Sequence, residues 1–249
     1  KIISDKEEET QKRMAVLEDD YRKISKDLGF NLLILPEDQN LNDLYANDFA
    51  SKYMPESYVD SMAASNSVLI RHLLPTLQQK ITWPEKQRTI ILTGTRGEVP
   101  FLHKAPKEPM MDAVSRGTMI MGYELHKSLG LKNGDKTKLM KRSFTLVKCN
   151  EMRGNIDDIT IWINLEESQE LLNKKGEINA ILALKCHCAN NELAEVRKEV
   201  NSILPGTQVL EKGTEVLVRA EARDRAAKEA EDAITAEIKH REDLRVENE

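Results

Sequence analysis

Aromatic residues make up only 4% of this chain, and no uninterrupted apolar run approaches the roughly 18 residues that a membrane-crossing helix needs. Nothing in the sequence as given therefore reads as a transmembrane span. Residues 1–20 are charged and lack the apolar centre of a secretory signal. The sequence begins at Lys1 and stops within a helical pattern at Glu249, and is expected to be an excised segment. A basic excess is also missing. The net charge is −5, which argues against a dedicated nucleic-acid binder. Cysteine is scarce, with Cys149, Cys186 and Cys188. Three cysteines are compatible with one disulfide and a free thiol or with three reduced thiols, so they do not fix the redox compartment. No repeat of 20–50 residues and no low-complexity run stands outside the two ends.

What the chain does have is charge, at 32% of residues, alongside 40% hydrophobic residues over 249 positions. That is a globular composition with extra polar faces, and length enough for a sizeable core.

The two ends supply the extra charge. Ile3, Thr10, Met14, Leu17, Tyr21, Ile24 and Leu28 recur at steps of three and four, with Glu7 interrupting. That is the narrow seam of a helix paired with another helix. Gly29 is placed to end it. After Leu217 there is neither Pro nor Gly, and Ala220, Ala226, Ala227, Ala230, Ala233, Ile234, Ile238 and Leu244 fall roughly on one face. Small alanines let two helix backbones approach closely. The expectation is an antiparallel two-helix stalk, residues 1–28 and 216–249, about 40 Å long at 1.5 Å per residue. Two separate amphipathic helices packed on the body are the plainer alternative.

Between them, residues 29–215 read as a mixed α/β body. Strands are expected at 30–35, 67–83, 87–95, 118–122, 136–140, 143–149, 157–165, 178–188 and 207–211. Short helices are expected at 54–65, 123–129, 166–173 and 191–204, with residues 41–49 helical or irregular. Gly130 caps the helix 123–129, and Asn133-Gly134 forms a tight turn. The prolines of 97–111 mark a loop. The strand at 30–35 stands far from the others, which suggests two subdomains whose first elements close back on the last. The fold class is thus α+β, a two-lobed body on a coiled-coil stalk.

Candidate chemistry is thin. On a strand, Cys186 and Cys188 share one face and His187 takes the other. If the strand of Cys149 is adjacent, three thiolates could hold Cu(I) or Zn(II). The same adjacency would allow a disulfide between Cys149 and Cys186 or Cys188, and buried thiols without a role are the plain reading. "TGTRGEVP" (93–100) lacks the spacing of either phosphate-binding fingerprint and reads as a turn with an exposed Arg96. "RGNIDDI" (153–159) offers paired aspartates, too few for a calcium site, and also reads as a turn. His72, His103, His126 and His240 are scattered, and no catalytic residue or cofactor site is indicated.

Gly122, Leu125, Leu129, Gly130, Leu131, Gly134 and Asp135 form a motif that resembles one in the extracytoplasmic domains of MacB/FtsX-type ABC transporter permeases. "FNLLILP", "YANDFASKYMPESYVDSMA", "TIILTGTRGEVP" and "INAILALKCHC" resemble a bacterial branch of that family, and the likeness spans roughly 29–215. The resemblance implies a MacB-like periplasmic core inserted between the first two transmembrane helices, which this chain does not include. It implies a non-catalytic domain on the periplasmic side of the bacterial inner membrane. Its partners would be a cytoplasmic ATP-binding subunit, a second permease copy and a periplasmic adaptor or substrate protein. ATP hydrolysis would drive extracytoplasmic work through the stalk, by mechanotransmission. Rival readings are a periplasmic ligand- or partner-binding module, a copper- or zinc-binding domain on the cysteines, and a soluble enzyme.

Overall fold

The computed structural model of the chain describes residues 30–47, 49–103, 109–185 and 193–211. Both flanking segments, with the expected stalk helices, lie outside the described residues. So do Cys186, His187, Cys188 and His240. By contact the chain divides into Lys1–Glu211 and Lys212–Glu249; the description below concerns the first unit.

The described residues open with β1 (Leu32–Pro36) and α1 (Leu41–Asn47). Then come a short β2 (Met54–Pro55), α2 (Ser57–Ala64), the long β3 (Ile70–Trp83) and β4 (Arg88–Thr95). β5 (Thr118–Met121), α3 (Tyr123–Leu129), β6 (Lys136–Leu139) and β7 (Arg142–Cys149) follow. A 3-10 turn over Ile156–Ile159 leads into β8 (Thr160–Asn164) and α4 (Leu165–Leu172). The last elements are β9 (Glu177–Ile178), β10 (Ala180–Lys185), α5 (Leu193–Ile203) and β11 (Thr207–Glu211).

One nine-stranded sheet runs β11-β1-β10-β3-β4-β8-β5-β7-β6. The β4–β8 and β5–β7 pairs are parallel, and the other neighbours are antiparallel. β3 explains how one sheet has two halves. Its residues 70–76 pair with β10, while residues 76–83 pair with β4. The halves meet at Thr76, the one β3 residue opposite both neighbours.

Pro75 sits inside this central strand, where a missing N–H should break a ladder. Leu73 accepts from Val99 N–H on the side away from β10. Pro75, two residues on, faces that same side, so no β10 bond is lost. Asn179 completes the seam from the other side. Its Oδ1 accepts from Gln78 N–H (2.8 Å) and its Nδ2 donates to the Gln78 carbonyl (2.6 Å). A side-chain amide thereby continues the ladder just beyond the start of β10, and it also donates to the Ala50 carbonyl (2.6 Å).

The second half of the sheet curls so that its ends touch. The indole Nε1 of Trp83, at the end of β3, donates to the Lys138 carbonyl of β6 (2.7 Å). Glu85 then takes the N–H groups of Lys141 (2.6 Å) and Met140 (3.2 Å). Met140 and Lys141 form the β6–β7 turn with positive φ (49° and 70°) and no glycine. A non-glycine residue there costs roughly 1–2 kcal/mol, which the two bonds to Glu85 offset. Trp83, Ile90, Leu92, Met119, Leu125, Phe144 and Ile163 belong to the core of this half.

In the first half, Leu32, Ile34, Leu73, Ile181 and Val209 of the sheet pack with Val59 and Met62 of α2 and Val196 and Val200 of α5. Leu35, on the opposite face of β1, packs with Leu44, Ala50 and Ala180. β1 is thus covered on both sides, which is why it reads as a continuous apolar run. Burying such a side chain contributes about 1.5–3 kcal/mol.

Two glycines are required by close approach. A Cβ on Gly94 would lie 1.6 Å from Ser168 Oγ, because α4 presses onto β4. A Cβ on Gly122 would lie 2.1 Å from the Asp157 carbonyl. Gly130 ends α3 in the left-handed region (φ 66°), as its position predicts.

The strands and helices fall close to their expected spans. Residues 157–159, expected to begin a strand, instead form part of the 3-10 turn. There Asn155 accepts from the Asp157 N–H (2.9 Å), and the Asp157 and Asp158 side chains bond back to Arg153 and Gly154. Side-chain bonds of this kind compete with a β ladder.

Candidate functional site

Cys149 ends β7 as a free, half-buried thiol whose Sγ lies 4.0 Å from the Leu131 carbonyl. Burial pushes this thiol up, and the negative charge of Asp135 adds to the shift. A thiol raised in this way ionises less readily, which makes it a weaker nucleophile.

The strand of Cys149 is not a hydrogen-bonded neighbour of the strand that leads to Cys186. β10, which ends one residue before Cys186, is separated from β7 by β3, β4, β8 and β5. Cys186 and Cys188 themselves lie outside the described residues. Among the described residues, no group of three His, Cys, Asp or Glu side chains could hold a metal ion.

The "TGTRGEVP" stretch is more than a turn. Its first three residues end β4, with Thr95 opposite Thr76 at the junction of the two halves, and the rest continues past it. Arg96 is only partly exposed, not free in solvent. Its Nη2 donates to Asp60 (2.6 Å) in α2, and its Nε lies 3.4 Å from Glu56. Gln169 of α4 donates to the other Glu56 oxygen (2.8 Å). Two residues on, the Glu98 side chain is largely covered, at 8% exposure. Its Oε2 lies 2.6 Å from Nδ1 of His72 on β3. Its Oε1 accepts from the N–H groups of Met110 and Met111.

An imidazole beside a carboxylate resembles two-thirds of a hydrolytic triad. Yet both Glu98 oxygens are committed to holding backbone and side chain in place. Among the described residues no hydroxyl or thiol bonds to His72. The pair fastens three segments together and carries no nucleophile. The sequence signal was present in Arg96 and Glu98, but their partners are 36 and 26 residues away.

The paired aspartates do turn work, as expected. Asp158 accepts from Arg153 and Gly154 N–H (2.9 and 2.8 Å), and Asp157 from the Arg153 guanidinium (2.9 Å). His126 bonds the Asn150 carbonyl (3.0 Å) and meets Tyr123 edge-on. His103 meets Phe101 edge-on.

The arrangement with the clearest functional meaning is where the chain enters and leaves the body. β1 and β11 are antiparallel neighbours, with Leu32 opposite Glu211. Residues so placed have Cα atoms about 4.5–5.5 Å apart. The body therefore receives its first strand and releases its last at one point on the sheet. At the opposite end of the pair, where Pro36 faces Thr207, Gln208 donates to the carbonyls of Pro36 (3.0 Å), Glu37 (3.1 Å) and Gln39 (2.8 Å). Among the described residues, no helix is long and apolar enough to cross a membrane.

No protein-family model matches the chain, and no curated protein matches it. Among solved structures, it is similar to the periplasmic region of MacB from Actinobacillus actinomycetemcomitans. The identity is 8% and the TM-score 0.48, over 77% of this chain and 92% of that one. It is also similar to the extracellular domain of the noncanonic ABC-type transporter YknZ from Gram-positive bacteria. There the identity is 9% and the TM-score 0.46, over 73% of this chain and 99% of that one.

Proposed function

We propose that the chain is the extracytoplasmic domain of an ABC transporter permease subunit of the MacB/FtsX type, inserted between the first two transmembrane helices. The observation that carries this reading is the β1–β11 pairing, with Leu32 opposite Glu211. A domain inserted between two membrane helices must take in and return its chain at one place, and this body does so. The ordered motifs between residues 29 and 215 point to the same family.

On this reading residues 1–28 and 216–249 form an antiparallel stalk continuous with the membrane helices. The domain is non-catalytic. It sits on the periplasmic face of the inner membrane and couples ATP hydrolysis by a cytoplasmic subunit to export or extraction of substrate. The permease works as a dimer with that subunit, and a periplasmic adaptor or substrate protein meets the body. Coupling needs an element with two arrangements that both ends bias, and a seam of small alanines favours sliding over rigid locking.

The test uses the whole transporter. A cysteine pair is placed across the two flanking segments and oxidised. Transport should stop or lose its dependence on ATP turnover, and reduction should restore it. Unchanged coupled transport with the bond formed overturns the reading.

A further inference from the structure

The segment from the end of α3 through the β6–β7 hairpin is basic in an acidic chain. Residues 127–148 hold seven Lys and Arg and one acidic residue, Asp135, a net of +6. The chain as a whole carries −5, so the remainder carries −11. On β6, Lys136 and Lys138 are exposed and alternate with buried Thr137 and Leu139. Thr145 and Ser143 of β7 stand opposite the two lysines and share their face. Val147 is 49% exposed on β7. The register slips there, Leu146 facing Met119 and Lys148 facing Ile120, so a bulge presents Val147 and Lys148 together.

None of the lysines of this segment has an ion-pair partner among the described residues. Arg142, by contrast, is held by Glu170 (2.6 Å). Glu85 lies near enough for the Lys138 charge to help lower its carboxyl, after the bonds from Lys141 and Met140. Lysines on an edge strand often serve to repel a further strand. Here that need is reduced, since the Trp83 indole already occupies the Lys138 carbonyl.

We propose that this face is a docking surface for a carboxylate-rich segment of a partner protein. The chemistry selects the partner class. The face has ammonium groups, hydroxyls and one exposed valine. It has no aromatic ring on which a nucleobase could stack. Its one guanidinium, the group best suited to grip a phosphate with two parallel bonds, is already engaged. Point charges beside hydroxyls and an aliphatic patch suit Asp and Glu side chains on a folded or extended protein. This inference goes beyond the transporter reading and stands or falls without it.

The test is a fluorescence-anisotropy titration of the whole chain with a labelled peptide of Glu-Ala repeats, at low and at physiological salt. Binding is expected to weaken with salt. K136E/K138E should weaken it about tenfold or more, since like charges then face each other. K80E, at an exposed lysine of β3, should leave it unchanged. Circular dichroism melts check folding, and K136Q/K138Q replaces the charge reversal if that variant does not fold. The proposal is overturned if the peptide does not bind or if the hairpin variants bind as well as the parent. It is also overturned if polyphosphate or phosphatidylglycerol vesicles bind through these lysines and the peptide does not.

Discussion

Asn179 is 1% exposed and holds the point where the two halves of the sheet meet. Its side chain makes three hydrogen bonds, two with the Gln78 backbone and one with the Ala50 carbonyl. Asn179→Ala removes all three and leaves an N–H and two carbonyls without their partner. At about 1 kcal/mol net for each bond, the loss is about 3 kcal/mol. For a unit of this size that corresponds to a fall in Tm of about 6–12 °C. Urea unfolding followed by circular dichroism gives the free energy directly.

Asn179→Asp sharpens the test. It keeps the acceptor for Gln78 N–H but turns a carboxylate towards two carbonyl oxygens. That raises the folded-state pKa of the introduced carboxyl above its unfolded value. The favourable contribution is then fully present below the unfolded pKa and is lost as pH rises through the folded one. The Asp variant should therefore come closer to the parent protein at pH 4 than at pH 8. An Ala variant within about 0.5 kcal/mol of the parent, the range of ordinary surface changes, would refute the idea that this amide joins the halves.

Two further outcomes are expected. Glu170 accepts from Arg142 (2.6 Å) and Arg116 (3.2 Å), and these bonds hold its carboxyl below the ordinary carboxylate range. Its stabilising effect is present above the unfolded pKa and disappears as pH falls through the folded one. The difference in urea midpoint between the parent and Glu170→Gln should accordingly close on acidification; a constant gap from pH 7 to pH 3 would contradict it. Cys149, pushed up by burial and by Asp135, should react slowly with iodoacetamide at neutral pH, as read from its own tryptic peptide by mass spectrometry. Asp135→Asn should speed the reaction, and equal rates in the two proteins would rule out the charge effect.

Much of the architecture was legible because it is local. Leu125 and Leu129 at helical spacing, with Gly130 after them, mark α3 and its end from the local sequence alone. The all-apolar β1 signals a strand covered on both faces. The β6–β7 turn carries no such signal, because Met140 and Lys141 adopt positive φ under the grip of Glu85, 55 and 56 residues away. Strand order was equally hidden. Nothing local in the sequence tells that β7 and β10, on which Cys149 and Lys185 end, have four strands between them in the sheet order. Arg96 read as exposed because Asp60 and Glu56 are brought to it only by the packing of α2 at the junction. Local pattern shows what each segment becomes, whereas the site depends on which segments meet.

The place of β1 in the sheet has a consequence for biosynthesis. Its neighbours are β10 and β11, so the first of the described strands waits for partners some 150 residues later in the chain. At translation rates of about 5–20 residues per second, that wait is on the order of ten to thirty seconds. Through that time Leu-Leu-Ile-Leu-Pro has both backbone edges open and its buried side chains in water. A holding chaperone or the ribosome surface would shield it best, and its closing by β11 would mark the moment the body is complete.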